Sequence, residues 1–228
     1  TEMSTDATQR IADLAWAGQH EQAIAAATAA LKRKSLPADD RMTLLDLRSE
    51  SCIAVGDLKR AADDAATMKA LAKREGGAAL QALALCRESF VQFRRGEMRA
   101  AVASAAAALK AARNSRQPEL EALSLSRLSR MQGGARIDVH AAVRNGARAA
   151  ALFASLGDTA GQGRALRAQC GAMWASDQTV LGAPVAAESL ALARRCGDLF
   201  GQGEALNALA IGDADIAFYL DLGAGRQP

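Results

Sequence analysis

The chain has 228 residues, half of them hydrophobic, about a quarter alanine and only 4% aromatic, with 28 basic and 25 acidic side chains giving a net charge of +3. That length and apolar content suffice for a substantial core, built as one elongated domain or two small ones. An alanine-rich, aromatic-poor mix favours closely packed helices over strands, and so small a net charge excludes the dense basic face of a dedicated nucleic-acid binder.

The chain opens on "TEMSTDATQR", which has neither a basic leader nor an apolar run. No later stretch reaches the ~18 apolar residues of a membrane span. The expectation is a soluble, cytoplasmic protein without membrane contact. Apolar residues then recur at helical spacing, interrupted by related segments: "AGQHEQAI" at Ala17, "VGDLKRAA" at Val55 and "RGEMRAAV" at Arg95, at spacings of 38 and 40. In one unit, Leu44, Leu45, Leu47, Cys52 and Val55 form the stripe, and Gly56-Asp57 ends it. The glycine suits a left-handed helix end and the aspartate suits the cap of the next helix. That next helix runs from about Leu58 to Lys73, carries Ala61, Ala62, Ala65, Met68 and Leu71, and gives way to "REGG".

Further along, "LQALALCRES" at Leu80 and "LEALSLSRLS" at Leu120 repeat at an offset of 40. "MQGGARID" follows, and its paired glycines predict a longer, mobile loop around Gln132 to Asp138. "GDTAGQGRAL" at Gly157 and "GDLFGQGEAL" at Gly197 are again offset by 40. The chain closes on "LDLGAGRQP", read as a frayed end over 211–228 or a cut through a longer chain. Every segment has helical period and none alternates as a strand does, which predicts ten to twelve helices and no sheet.

Gly18, Gly56 and Gly96 are each followed five residues later by an alanine, Ala23, Ala61 and Ala101, with Ala30 and Ala108 a further seven on and Met68 the exception. This pattern resembles the tetratricopeptide repeat, over about residues 5 to 210. The resemblance implies an all-α, right-handed superhelical solenoid of antiparallel helical hairpins. Residues 1–228 would form a single such domain, with about five hairpins and a partial C-terminal unit. The period of about 40 is longer than the usual repeat, first-helix aromatic positions hold residues such as Leu45 and Leu85, and the repeat-ending proline survives only near Pro37 and Pro118. The longer period is similar to the variant found in regulatory regions of large bacterial signalling proteins.

Catalytic constellations are missing from the pattern. The two glycine-rich segments lack the preceding strand and the Lys-Ser/Thr pair of a phosphate loop, and their equivalent positions carry opposite charges, Arg164 and Glu204. Gly161, Gly163, Gly201 and Gly203 instead fit the first turn of a helix packed closely on the preceding unit. His20 and His140 are the only histidines and neither has metal-ligand company; His20 reads as a turn residue. Asp63 and Asp64 read as solvated acids on a helix with an apolar opposite face. Trp16 and Trp174 read as core or inter-repeat wedges. Cys52, Cys86, Cys170 and Cys196 read as buried free thiols in a reducing compartment. The chain is expected to be no enzyme and to need no cofactor or metal.

One polar feature stands out. Arg10, Arg48, Arg87 and Arg127 recur on successive first helices at spacings of 38, 39 and 40, with Arg41, Arg130, Arg164 and Arg167 nearby. A row of guanidinium groups on the concave surface would hold an acidic peptide or phosphorylated segment through bidentate contacts. The alternative is internal pairing with carboxylates such as Glu50 and Glu88. The functional expectation is a non-catalytic protein-interaction or regulatory module that binds a peptide or partner domain. A small-molecule sensor within a signalling protein and a homo-oligomeric scaffold joined through exposed solenoid ends are the alternatives.

Overall fold

The computed structural model describes residues 2–33 and 35–223, with side chains described for 7–33 and 35–212. Those residues form eleven helices and no strand: α1 (Glu2–Trp16), α2 (His20–Leu31), α3 (Ala38–Ala54), α4 (Leu58–Glu75), α5 (Ala78–Arg94), α6 (Met98–Ser115), α7 (Pro118–Ala135), α8 (Val139–Ser155), α9 (Thr159–Ala175), α10 (Thr179–Cys196) and α11 (Leu199–Gly223). From α3 onward the odd-numbered helices begin about forty residues apart. We call these the first helices. The chain divides into two compact units, Thr1–Leu120 and Glu121–Pro228. The expected frayed end overlaps α11 as far as Gly223; residues 224–228 lie outside the described residues.

The hairpin turns explain why the repeat is legible. At Gly18, Gly56, Gly96, Gly157 and Gly197 the backbone enters the left-handed region, with φ of 74°, 85°, 81°, 72° and 70°. At each site the glycine N–H bonds three residues back, and the next N–H bonds five residues back, as in Gly56 to Ile53 O (3.2 Å) and Asp57 to Cys52 O (2.9 Å). This pairing satisfies carbonyls that a helix end otherwise leaves open. Asp57, Asp158 and Asp198 then accept from the N–H of Arg60, Gly161 and Gly201 at 3.0, 2.7 and 2.8 Å, capping the following helices.

One turn was misplaced by the sequence reading. Helix α7 continues through Gly133 and Gly134 to Ala135, so the expected loop over Gln132–Asp138 shrinks to 136–138. Arg136 (φ 52°) takes the left-handed position that glycine fills at the five turns above, as Asp177 (φ 57°) does between α9 and α10, and Asp138 caps α8 by accepting from Ala141 N–H. Gly133 lies inside the helix because a Cβ there would come within 3.0 Å of Ala172 Cα on α9.

In the first unit, α3 packs between α2 and α4, and α5 packs against α4 and α6. Ala23, Ala61, Ala101 and Ala108 of the sequence pattern are fully buried, and Ala30 is half-buried. Met42, Leu44 and Met68 fill the spaces between the helices, each contributing about 1.5–3 kcal/mol by burial. In the second unit, α9 packs against α8 and α10, and α11 against α10 and α9. Leu125 and Met131 are its fully buried large side chains. Hydroxyls stitch hairpins together: Ser49 Oγ donates to Ala61 O (3.1 Å), and Ser189 Oγ donates to Gly163 O (3.2 Å).

The four glycines of the second unit's first turns behave differently from one another. A Cβ on Gly161 would collide with the Phe153 ring and the Asp158 carboxylate, and one on Gly201 with Arg167 and Asp198. Gly163 faces Leu192 at an ordinary 3.5 Å, across its own hairpin, and Gly203 faces open space. All four are helical.

Trp174 packs beside Cys170, Ala186 and Ala208, as a wedge would. Trp16 does not: it is 42% exposed at the end of α1. His20, expected in a turn, is the half-buried first residue of α2, and His140 is exposed on α8.

None of the four cysteines is in a disulfide; Cys52, Cys86 and Cys170 are buried and Cys196 half-buried. Burial pushes the Cys52 and Cys170 thiols up to about 11, with the Asp64 charge adding to the effect on Cys52. An unfolded thiol titrates near about 8.5. The folded chain therefore holds these protons more tightly, and that stabilisation is complete below about pH 8.5 and lost as the pH rises through about 11. In reductant, the urea midpoint is expected to fall between pH 8 and 10.5 by more in the parent chain than in a Cys52→Ala, Cys170→Ala double variant. Equal falls would remove the thiols as the cause.

Candidate functional site

The arginines singled out in the sequence do not share one environment. Arg48, on α3, turns toward the second helices. Its Nε and Nη2 donate to Asp64 Oδ2 and Oδ1 on α4 at 2.9 and 2.5 Å, and its Nη1 donates to Thr28 Oγ1 on α2 at 3.1 Å. The bond to Asp64 raises the Arg48 pKa above the ordinary arginine value, against the opposing effect of burial. Asp64, expected to be solvated, is 2% exposed and closes this bidentate pair. Its neighbour Asp63 is exposed, since one residue along a helix turns a side chain through ~100°.

Arg87, on α5, turns instead toward the preceding first helix. Its Nε donates to Asp46 Oδ1 at 2.6 Å and its Nη2 to Glu50 Oε2 at 3.1 Å, both on α3. Arg87 is 2% exposed. Burial alone would lower its pKa; the charges of Asp46 and Glu50 and their hydrogen bonds outweigh that and raise it. The spacing of 39 between Arg48 and Arg87 is one residue short of the helix repeat. That slip accounts for their different partners. Glu88, the other carboxylate considered from sequence, pairs with Lys69 at 2.6 Å. Arg10 is exposed on α1, and Arg127 is half-buried on α7 in the second unit.

The second unit gathers three of the others. Arg130 on α7 and Arg167 on α9 meet two carboxylates, Asp198 at the start of α11 and Glu204 within it, and the charge of Arg164 on α9 acts on Arg167. Arg130 Nη2 donates to Glu204 Oε1 at 3.2 Å. Arg167 Nη2 lies 3.0 Å from Asp198 Oδ2, and its Nε lies 3.1 Å from Glu204 Oε2. Those last two atoms are both buried, yet neither makes a hydrogen bond, so the contact is an attraction without alignment. Burial lowers the Arg167 pKa, and the charges of Arg130 and Arg164 add to that effect, so Asp198 and Glu204 only partly offset it. The Arg167 side chain is 9% exposed, Glu204 32% and Arg130 38%; Arg164 is exposed.

Sequence reasoning found the three arginines but not their joining point. Glu204 lies 74 residues from Arg130, and only packing of α7, α9 and α11 in one unit unites them. The available signal was the opposite charge at equivalent positions of the two glycine-rich segments.

No group of three or more histidine, cysteine, aspartate or glutamate side chains among the described residues is placed to hold a metal ion. No helix among them is long and apolar enough to cross a membrane.

No protein-family model matches the chain, and no curated protein matches it. Among solved structures, the apo form of RapI matches with a TM-score of 0.66 and 14% sequence identity, over 95% of this chain and 62% of that chain. The likeness shows the fold. It is an all-α helical-repeat fold of the tetratricopeptide-like type, built of antiparallel hairpins. This chain spans less than two thirds of the length of RapI.

Proposed function

We propose that the chain is a non-catalytic interaction module that binds an acidic peptide or partner segment on the surface of its first helices. The observation that carries this reading is the cluster in which Arg130 of α7 and Arg167 of α9 meet Asp198 and Glu204 at α11, with the exposed Arg164 acting on Arg167. A helical-repeat scaffold suits the role, since each hairpin adds a strip of surface to its neighbour. The start of successive first helices about forty residues apart supports placing the chain with the long-period repeats of regulatory regions in large bacterial signalling proteins. Its mostly buried cysteines, none in a disulfide, support a reducing, cytoplasmic setting.

Fluorescence polarisation with labelled hexaglutamate, hexalysine and hexaserine tests the reading. Hexaglutamate is expected to bind, to weaken as salt is raised to about 0.5 M, and to outcompete the other two. If none binds while a metabolite raises the melting midpoint, the small-molecule sensor replaces the peptide-binding module. If none binds and light scattering shows a concentration-dependent assembly, the homo-oligomeric scaffold does.

A further inference from the structure

We infer that Arg130, Arg164 and Arg167 form a binding site for a single carboxylate of a peptide partner, and that Glu204 is an internal stand-in which this carboxylate displaces. The inference rests on the peptide-binding reading and assigns that reading a place and a chemistry. An incoming carboxylate that displaces Glu204 replaces it charge for charge and with the same planar pair of oxygens, whereas a phosphate brings close to two charges at neutral pH. Geometry gives the same answer. The Arg167 side chain is nine-tenths buried, and its Nε faces Glu204 Oε2 across 3.1 Å with no hydrogen bond formed by either atom. A desolvated donor in that state gains from a better-aligned acceptor.

Access distinguishes this cluster from the other buried arginine pair. Around Arg87, Asp46 and Glu50 accept from Nε and Nη2, and the guanidinium is sealed from solvent with its Nη1 buried and without a hydrogen bond. Around Arg167, Glu204 is about one third exposed on a long side chain free to swing outward, while Arg130 and Arg164 open to solvent. Gly201 contributes by omission. Any Cβ there would strike Arg167 Nη1, so the glycine lets the guanidinium lie against the first turn of α11, beside Asp198. Asp198 caps that turn through Gly201 N–H and stays as the fixed anchor, leaving Glu204 as the exchangeable partner.

The test uses the full chain and labelled hexaglutamate, with acetate and inorganic phosphate as competitors. Glu204→Gln removes the internal competitor and is expected to tighten hexaglutamate by about tenfold. Arg164→Ala is expected to weaken it by about tenfold. Glu188→Gln on α10 makes the same charge change outside the cluster, where Glu188 accepts from Gln162, and is expected to leave affinity within about twofold. Melting midpoints of the variants verify folding. Acetate is expected to compete at least as well as phosphate; stronger competition by phosphate overturns the carboxylate assignment. Hexaglutamate binding that ignores both Arg164→Ala and Glu204→Gln overturns the site while leaving the peptide-binding module standing. Absence of hexaglutamate binding overturns both.

Discussion

Arg87→Glu is expected to destabilise the fold by about 3 to 5 kcal/mol. The substitution places a third carboxylate where a sealed guanidinium now serves Asp46 and Glu50. It removes two charge-assisted bonds and strands one new charge among two like ones. For a unit of this size the loss corresponds to a fall in melting midpoint on the order of 10 °C or more. Arg87→Met should cost less, because Asp46 is half-buried and Glu50 exposed, and both can turn to water. Arg164→Glu, at an exposed position, should change stability by within about 0.5 to 1 kcal/mol. Thermal melts of the three variants would check the ordering. If Arg87→Glu melted with the parent chain, the Arg87 pair would be a surface feature and not part of the scaffold.

The second large effect is steric. Gly146 sits within α8, where a Cβ would stand 2.7 Å from Gln169 Cβ, 2.8 Å from Gln169 Cα and 2.9 Å from Ser129 Oγ. Two of those three are atoms on or next to the α9 backbone, which has no rotamer to yield. Gly146→Ala is therefore expected to force α8 and α9 apart at a cost of about 1 to 3 kcal/mol, exceeding the roughly 1 kcal/mol that alanine gains in a helix interior. Gly171→Ala in α9 isolates that gain, since its Cβ would meet nothing within 4 Å, and should stabilise by about 0.5 to 1 kcal/mol. Urea midpoints moving in opposite directions are the expected result. Both moving upward would mean that α8 and α9 are packed less closely than the structure has them.

The contrast between these residues shows what the sequence can and cannot disclose. Turns were legible because a left-handed helix end favours glycine, and a following aspartate has a fixed use as a cap; Gly56-Asp57, Gly157-Asp158 and Gly197-Asp198 all satisfy both conditions. The same logic failed at Gly133-Gly134, where glycine answers to a neighbouring helix and Arg136 takes the strained backbone position. Helical period and alanine placement gave the hairpins. Side-chain partners depend on rotation about each helix axis to within one residue, and here the sequence was silent. Asp63 and Asp64 look alike in a string, yet one meets water and the other closes on Arg48. Arg48 and Arg87 look like rungs of one ladder, yet they answer to different helices. The cluster at Glu204 required three helices to be packed before its charges could be added.

Hydrogen–deuterium exchange of the full chain with and without saturating hexaglutamate tests the account most directly, since it asks which first helices carry the binding surface. Added protection is expected in 159–167 and 198–204, the first turns of α9 and α11 that carry Arg164, Arg167, Asp198 and Glu204. The segments of α3 and α5 around Asp46, Glu50 and Arg87 should exchange as they do in the free chain, because that guanidinium is sealed from solvent. Protection confined to α3 and α5, with α9 and α11 unchanged, would contradict the account.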